Sequence, residues 1–251
     1  DKAFSKEQRK KFVLTMLKLL IIVIILFLAF YFYTKYISNG KIIVKEERVI
    51  NSKIPDEFNG VKIIQFSDLK FGTTMDMDNV KDLVSLINSR KPDLVLFTGD
   101  LIAPNYKLKE NEKKEIIKQL NKLEPTIGKY AIYGDSDFDL NAYEDIITSS
   151  GFKLLNNEYE EIYYKKNESM YIVGLPSSIK SNIEITKSFE FYSDENRKYT
   201  IVMVHDGKSI KYIDNSTYEV DLILGGHSLN GSVRLPFIGG IFKDENSYKY
   251  F

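Results

Sequence analysis

Five apolar runs in this chain end on a side chain that can bind a cation. IIQF leads to Asp68, LVLFTG to Asp100, YAIYG to Asp135, TIVMV to His205 and LILGG to His227. Both histidines of the chain belong to this set. Three carboxylates and two imidazoles form an oxygen and nitrogen donor set that suits Mn, Fe or Zn. In open α/β sheets ligands bind past the carboxyl ends of strands, so the five side chains are expected to meet in one crevice. An aspartate after a strand also serves as a helix cap or turn residue. Five such run-ends using both histidines favour a metal site.

Composition narrows the chemistry. The chain has 251 residues and 43% hydrophobic content, enough for one large domain or a domain with an appendage. Its 35 basic and 35 acidic side chains cancel, so no long positive surface for nucleic acid is expected. Cysteine is absent, which removes disulfides, thiolate metal sites and a cysteine nucleophile.

The elements that position the site follow from periodicity. VKIIQFSD, LVLFTGD and KYAIYGD read as strands, each followed by a helical pattern. In the first of these helices Val80, Leu83, Val84 and Ile87 share a face. This alternation predicts a parallel sheet covered by helices. Residues 42–50, IIVKEERVI, have strand character. From 152 onward shorter extended pieces, a helix near 182–191, YTIVMVHD and VDLILGGH predict a second sheet. The fold class is α/β: a β-sandwich between helices. The lysine- and glutamate-rich stretch 107–122 reads as a solvated helix face.

In front of this domain, after a basic segment at residues 1–11, an apolar stretch spans residues 12–36, broken by Lys18. Its length matches a membrane-crossing helix, with Lys18 able to snorkel and Tyr31, Tyr33 and Tyr36 as an aromatic belt. Lys2, Lys6, Arg9, Lys10 and Lys11 precede it and Lys35, Lys41, Lys45 and Arg48 follow. The positive-inside bias places the N-terminus in the cytoplasm by a small margin, so the domain is expected outside.

FSDLKFG, FTGDLI, YGDSDF, VMVHD and GGHSLNGSVRLP resemble, in order, the five metal-binding blocks of the calcineurin-like metallophosphoesterases. The likeness is greatest to the membrane-linked bacterial branch and runs from about residue 42 to the end. It implies a four-layer β-sandwich flanked by helices and a two-metal centre that hydrolyses phosphoesters. It also implies further strands beyond the fifth block, which residues 42–251 would lack, leaving an exposed sheet edge open to a protein partner.

In that family one metal is held at the positions occupied here by Asp68, Lys70, Asp100 and Leu229, so two of its donors are replaced. The other is held at Asp100, Asp135, His205 and His227, all still able to coordinate. A family histidine that serves phosphate binding or leaving-group protonation corresponds to Ser136. The Lys70 ammonium is expected to occupy the lost metal's place beside Asp68, a remnant of that site. Asp137 and Asp206 are candidates for a proton shuttle, with ordinary roles open to them as a helix cap and a turn residue. Arg234 is a candidate anion contact or a surface residue, and Asn230-Gly231 reads as a tight turn.

The resemblance thus implies a membrane-anchored protein with a decayed dinuclear centre holding one divalent ion or none, serving binding or assembly. The alternative is a mononuclear metal-dependent phosphoester hydrolase acting on a lipid-linked or cell-envelope substrate.

Overall fold

The computed structural model describes residues 6–32, 42–165, 168–227, 234–235 and 239–240. The chain divides into two compact units, residues 1–45 and 46–251. The first contains helix α1 (Lys6–Phe32), charged and polar over residues 6–11, apolar on every side from Phe12 apart from Thr15 and Lys18, and exposed over residues 6–31. At 27 residues it reaches about 40 Å, long and apolar enough to cross a membrane. It starts earlier than the expected span, and residues 33–36 lie outside the described residues.

The second unit is built on two sheets. In the first, β1 (Ile63–Phe66), β2 (Leu94–Phe97), β3 (Gly128–Ala131) and β4 (Lys153–Leu154) are parallel and lie in that order. Three crossovers carry α2 (Met77–Ser89), α3 (Glu110–Leu120) and α4 (Tyr143–Ser149). Helix α2 starts where the Asp76 carboxylate accepts from the N–H groups of Asp78 and Asn79, while Asn79 returns a bond to the Asp76 N–H. It buries Val80, Leu83, Val84 and Ile87, the face expected from their spacing.

The second sheet runs β5 (Glu158–Tyr163), β6 (Ser169–Leu175), β7 (Thr200–Val204), β8 (Leu222–Gly225). β5 is antiparallel to β6, and the other pairs are parallel. Between the sheets Leu94, Leu96 and Ile132 pack on Ile172, Ile201 and Met203, all 0% exposed. On the far side of the second sheet Val173, Val202 and Val204 pack on Phe189, Ile210 and Ile213 of α5 (Ile185–Ser188), α6 (Ile210–Asp214) and adjoining turns. The central strands β2 and β7 are buried on both faces, so they read as unbroken apolar runs. Truncating a residue such as Ile172 to alanine would cost about 2–5 kcal/mol.

Three sequence expectations are corrected. Residues 42–50 form no strand, because no described strand lies beside them to complete a ladder. Lys153–Leu154 closes the first sheet beside β3 instead of opening the second, since it follows α4 as the last crossover of the parallel series. The helix near 182–191 is one turn, Ile185–Ser188, with aromatic Phe189, Phe191 and Tyr192 packing outside it. Beyond His227 only two short strands are described, β9 (Arg234–Leu235) and β10 (Gly239–Gly240), paired antiparallel.

Candidate metal centre

All five run-ends converge past the carboxyl ends of the strands of both sheets. Backbone geometry explains how short loops turn donors inward: Asp68, Lys70, Asp100 and His227 have φ of 55°, 43°, 63° and 61°. That left-handed region is costly for non-glycine residues and persists where surrounding bonds impose it. Asp137 supplies part of that constraint. Its carboxylate, 1% exposed, accepts from the N–H groups of Asp100 (2.7 Å), Gly134 (2.8 Å) and Leu101 (2.9 Å). It fastens the loop after β2 to the loop after β3. A Cβ on Gly99 would stand 2.3 Å from the Gly134 nitrogen, so glycine is required for this approach.

Two donor groups overlap at His205. Asp135, His205 and His227 form one, and Asp68, Asp100 and His205 the other, with ligand atoms within 4.8 Å of one another in each. His205 is 0% exposed and its Nδ1 lies 2.7 Å from the carbonyl of Thr98, which places the proton on Nδ1. Nε2 is left as the acceptor, buried without a hydrogen bond, 3.7 Å from Asp100 Oδ1 and 3.9 Å from Asp135 Oδ1. A deprotonated imidazole nitrogen held in its tautomer by a backbone carbonyl, facing two carboxylates, fits a divalent ion. His227 Nδ1 lies 3.1 Å from Asp135 Oδ2, completing the set. Burial opposes the Asp135 charge, but bonds to His227 and Ser177 outweigh it and hold its carboxyl down to about 2.

On the other side of Asp100 a cation is already in place. Lys70 Nζ lies 3.3 Å from Asp68 Oδ1 and 3.5 Å from Asp100 Oδ2. Burial works against this ammonium, yet the two carboxylates prevail and raise its pKa above the ordinary lysine value. Asp68 is fixed on its second oxygen, which accepts from Ser67 Oγ at 2.7 Å and from the His227 N–H at 2.9 Å. Ser136 holds Asp100: its N–H donates to Asp100 Oδ1 at 2.9 Å, and its hydroxyl has two acceptors in reach, Asp100 Oδ1 at 3.0 Å and the Ile102 carbonyl at 2.8 Å.

Neither shuttle candidate faces this crevice as a free acid. Asp137 is occupied by the three backbone donors, and burial pushes its carboxyl up to about 7 against their pull. It does not cap a helix, because it sits inside a short turn and binds the loop after β2 and Gly134 behind it in its own loop. Asp206, 0% exposed, caps the turn Gly207–Ser209 and accepts from the N–H and Oγ of both Ser178 and Ser209. Leu229, the Asn230-Gly231 turn and the Arg234 side chain lie outside the described residues.

Ser177 is a site residue that sequence reading missed. Its hydroxyl donates to Asp135 Oδ1 and accepts from the Ile179 N–H at 3.1 Å. The only available signal was its position just past β6, since a serine after Pro176 is otherwise an ordinary loop residue. The Thr98 carbonyl carried no signal at all, being backbone.

Comparison with known proteins agrees with this geometry. The family model for calcineurin-like phosphoesterases matches residues 61–231. An uncharacterised metallophosphoesterase of Bacillus subtilis, YkuE, is 29% identical over 94% of this chain and 82% of its own. One from Aquifex aeolicus is 28% identical, covering 78% of this chain and 72% of its own. A Danio rerio protein described as a transmembrane protein with a metallophosphoesterase domain is 21% identical, over 72% of this chain and 43% of its own. The chain belongs to the calcineurin-like phosphoesterase family.

Proposed function

We propose that in this calcineurin-like phosphoesterase the Lys70 ammonium fills one of two cation seats. A single divalent ion, Mn, Fe or Zn, would then be held by Asp100, Asp135, His205 and His227. Bound there, such an ion supplies Lewis acidity and lowers the pKa of a coordinated water. The chain's own groups set what surrounds it. Asp68, Asp100 and Asp135 bring three negative charges, which one divalent ion and Lys70 cancel. A pocket near neutrality has little attraction for a transferring phosphoryl group, whose charge is the main object of stabilisation in this chemistry. Ser136, turned onto Asp100 and Ile102, offers no imidazole to protonate a leaving oxygen. The protein is therefore impaired in hydrolysis and serves through binding or assembly at a membrane.

The single observation that carries this reading is the position of Lys70 Nζ between Asp68 and Asp100. The test measures metal bound per purified chain and turnover of an activated phosphodiester with added Mn. We expect one ion and negligible turnover, with activity gained in the combined variant Lys70→His, Ser136→His, Leu229→His. Wild-type turnover abolished by Asp100→Ala or His227→Ala would establish the single-metal hydrolase instead, with lipid-linked or envelope phosphoesters as the substrates to try.

Helix α1 supports a membrane-anchored protein, and the basic residues before it support a cytoplasmic N-terminus with the domain outside. Protease digestion of intact cells tests the orientation: cleavage of the domain is expected, and full protection overturns it.

A further inference from the structure

IIVKEERVI at residues 42–50 has the composition of a strand, with β-branched residues at both ends, yet lies in no sheet. Four of its aliphatic side chains are open to water, Ile43 81% exposed, Ile50 82%, Val44 43% and Val49 47%, and Ile42 is half-buried. Such a cluster of exposed aliphatic groups marks an interaction surface. We propose that its partner is the same segment of a second copy of this chain, paired antiparallel about Glu46.

The order of residues is what selects this partner. In that register Lys45 faces the second copy's Glu47, and Glu47 its Lys45. Ile43 faces Val49, and Ile42 faces Ile50. Side chains alternate across a strand, so Ile43, Lys45, Glu47 and Val49 share one face. There two opposite-charge pairs sit at the centre, flanked at each end by an aliphatic pair. On the other face Glu46 meets its own copy, Val44 faces Arg48, and Ile42 faces Ile50 at the ends. Each Glu46 carboxylate is paired with Arg90 of its own chain, so the axis need not carry two bare charges.

Competing arrangements lose these pairs. A parallel pairing sets Lys45 on Lys45 and Glu47 on Glu47, like charges directly opposite one another. Sliding by two residues onto Glu47 pairs Glu46 with Arg48 but sets Lys45 on Val49 and Ile43 on Asn51, and sliding onto Lys45 sets Ile43 on Glu47 and Ile42 on Arg48, so each loses aliphatic pairs. The two-fold arrangement is isologous and closes, so it forms a dimer and no filament. An anchor that confines both copies to one surface would raise their effective concentration.

The chain contains no cysteine, so a single introduced thiol reports one position. Residues facing across antiparallel strands lie about 4.5–5.5 Å apart at Cα, within the spacing a disulfide spans. The full chain is placed in lipid vesicles and mildly oxidised. We expect Glu46→Cys to cross-link with itself, and Ile43→Cys to cross-link with Val49→Cys only when the two are mixed. Lys53→Cys, outside the segment, gives the background. In the mixed sample, adding Lys45→Glu to both chains lowers the yield about tenfold, and Lys45→Glu with Glu47→Lys restores it. Self-linking at every position, Glu46→Cys linking without the mixed pair, capture of a different protein, or no yield above Lys53→Cys each overturns the proposal.

Discussion

The backbone N–H of His227 donates to Asp68 Oδ2 at 2.9 Å, joining residues 159 positions apart. This bond ties the loop after β1 to the loop after β8, and both residues sit in the left-handed region at φ 55° and 61°. Asp68 thus orients a candidate metal donor, His227, without belonging to the group of Asp135, His205 and His227. Asp68→Ala is expected to weaken divalent metal binding by about 10–100-fold. Asp68→Asn retains an acceptor for the His227 N–H and should lose less. Competition with a fluorescent chelator measures both, and an unchanged affinity in Asp68→Ala would mean that the His227 loop holds itself.

Removing the Lys70 ammonium leaves Asp68 and Asp100, 7% and 3% exposed, facing each other without their cation. Lys70→Met is expected to lose roughly 2 kcal/mol in metal-free buffer, discounted from a fully buried pair because the lysine is partly exposed. For a domain of this size that is about 5 °C in Tm. Added Mn should restore the loss and raise the bound metal from one ion per chain toward two. A Tm that stays at the wild-type value without metal would show that Lys70 neutralises nothing.

Much of this site was legible because its donors come from strand ends. A strand's apolar run and the polar residue that ends it are adjacent in sequence, so Asp68, Asp100, Asp135, His205 and His227 could be read one after another. The face of α2 was legible for a similar reason, its period being set by the helix itself. What could not be read depended on partners distant in sequence. IIVKEERVI has strand composition, but a strand exists only beside another, and none of the described strands lies there. That Lys153–Leu154 belongs to the first sheet was not legible, because a two-residue strand carries too little pattern to choose between sheets. Asp137 read as a cap because its donors, Asp100 and Leu101, are 36 and more positions away.

Asp137 is the residue for which a structural role and a catalytic role predict different measurements. Replacing it with alanine strands three buried backbone donors on two loops, each costing about 1–3 kcal/mol. The expected result is a Tm lower by 10 °C or more, on the order of 4 kcal/mol, and a loss of metal affinity with it. Asp137→Asn keeps one oxygen acceptor but aims an NH2 at a donor, so it should fall between wild type and alanine. A proton shuttle would behave otherwise, with Tm unchanged and only turnover altered.

Tyr130 gives the fold a defined response to alkali. Its ring is 7% exposed in the core between the two sheets, and burial pushes the phenol up to about 12. In the unfolded chain the phenol releases its proton near pH 10, while the folded chain holds it to about 12. Between those values the unfolded state binds fewer protons, so stability falls as pH rises. The size is about 1.4 kcal/mol per pH unit, or roughly 2–3 kcal/mol by pH 12. Below pH 10 both states are protonated and the group contributes no slope. Tyr130→Phe removes the titrating proton while keeping the ring, so its stability should match wild type near pH 8 and exceed it progressively above pH 10. Urea unfolding across that range measures the difference. Parallel curves for the two proteins would mean that the phenol titrates alike in both states.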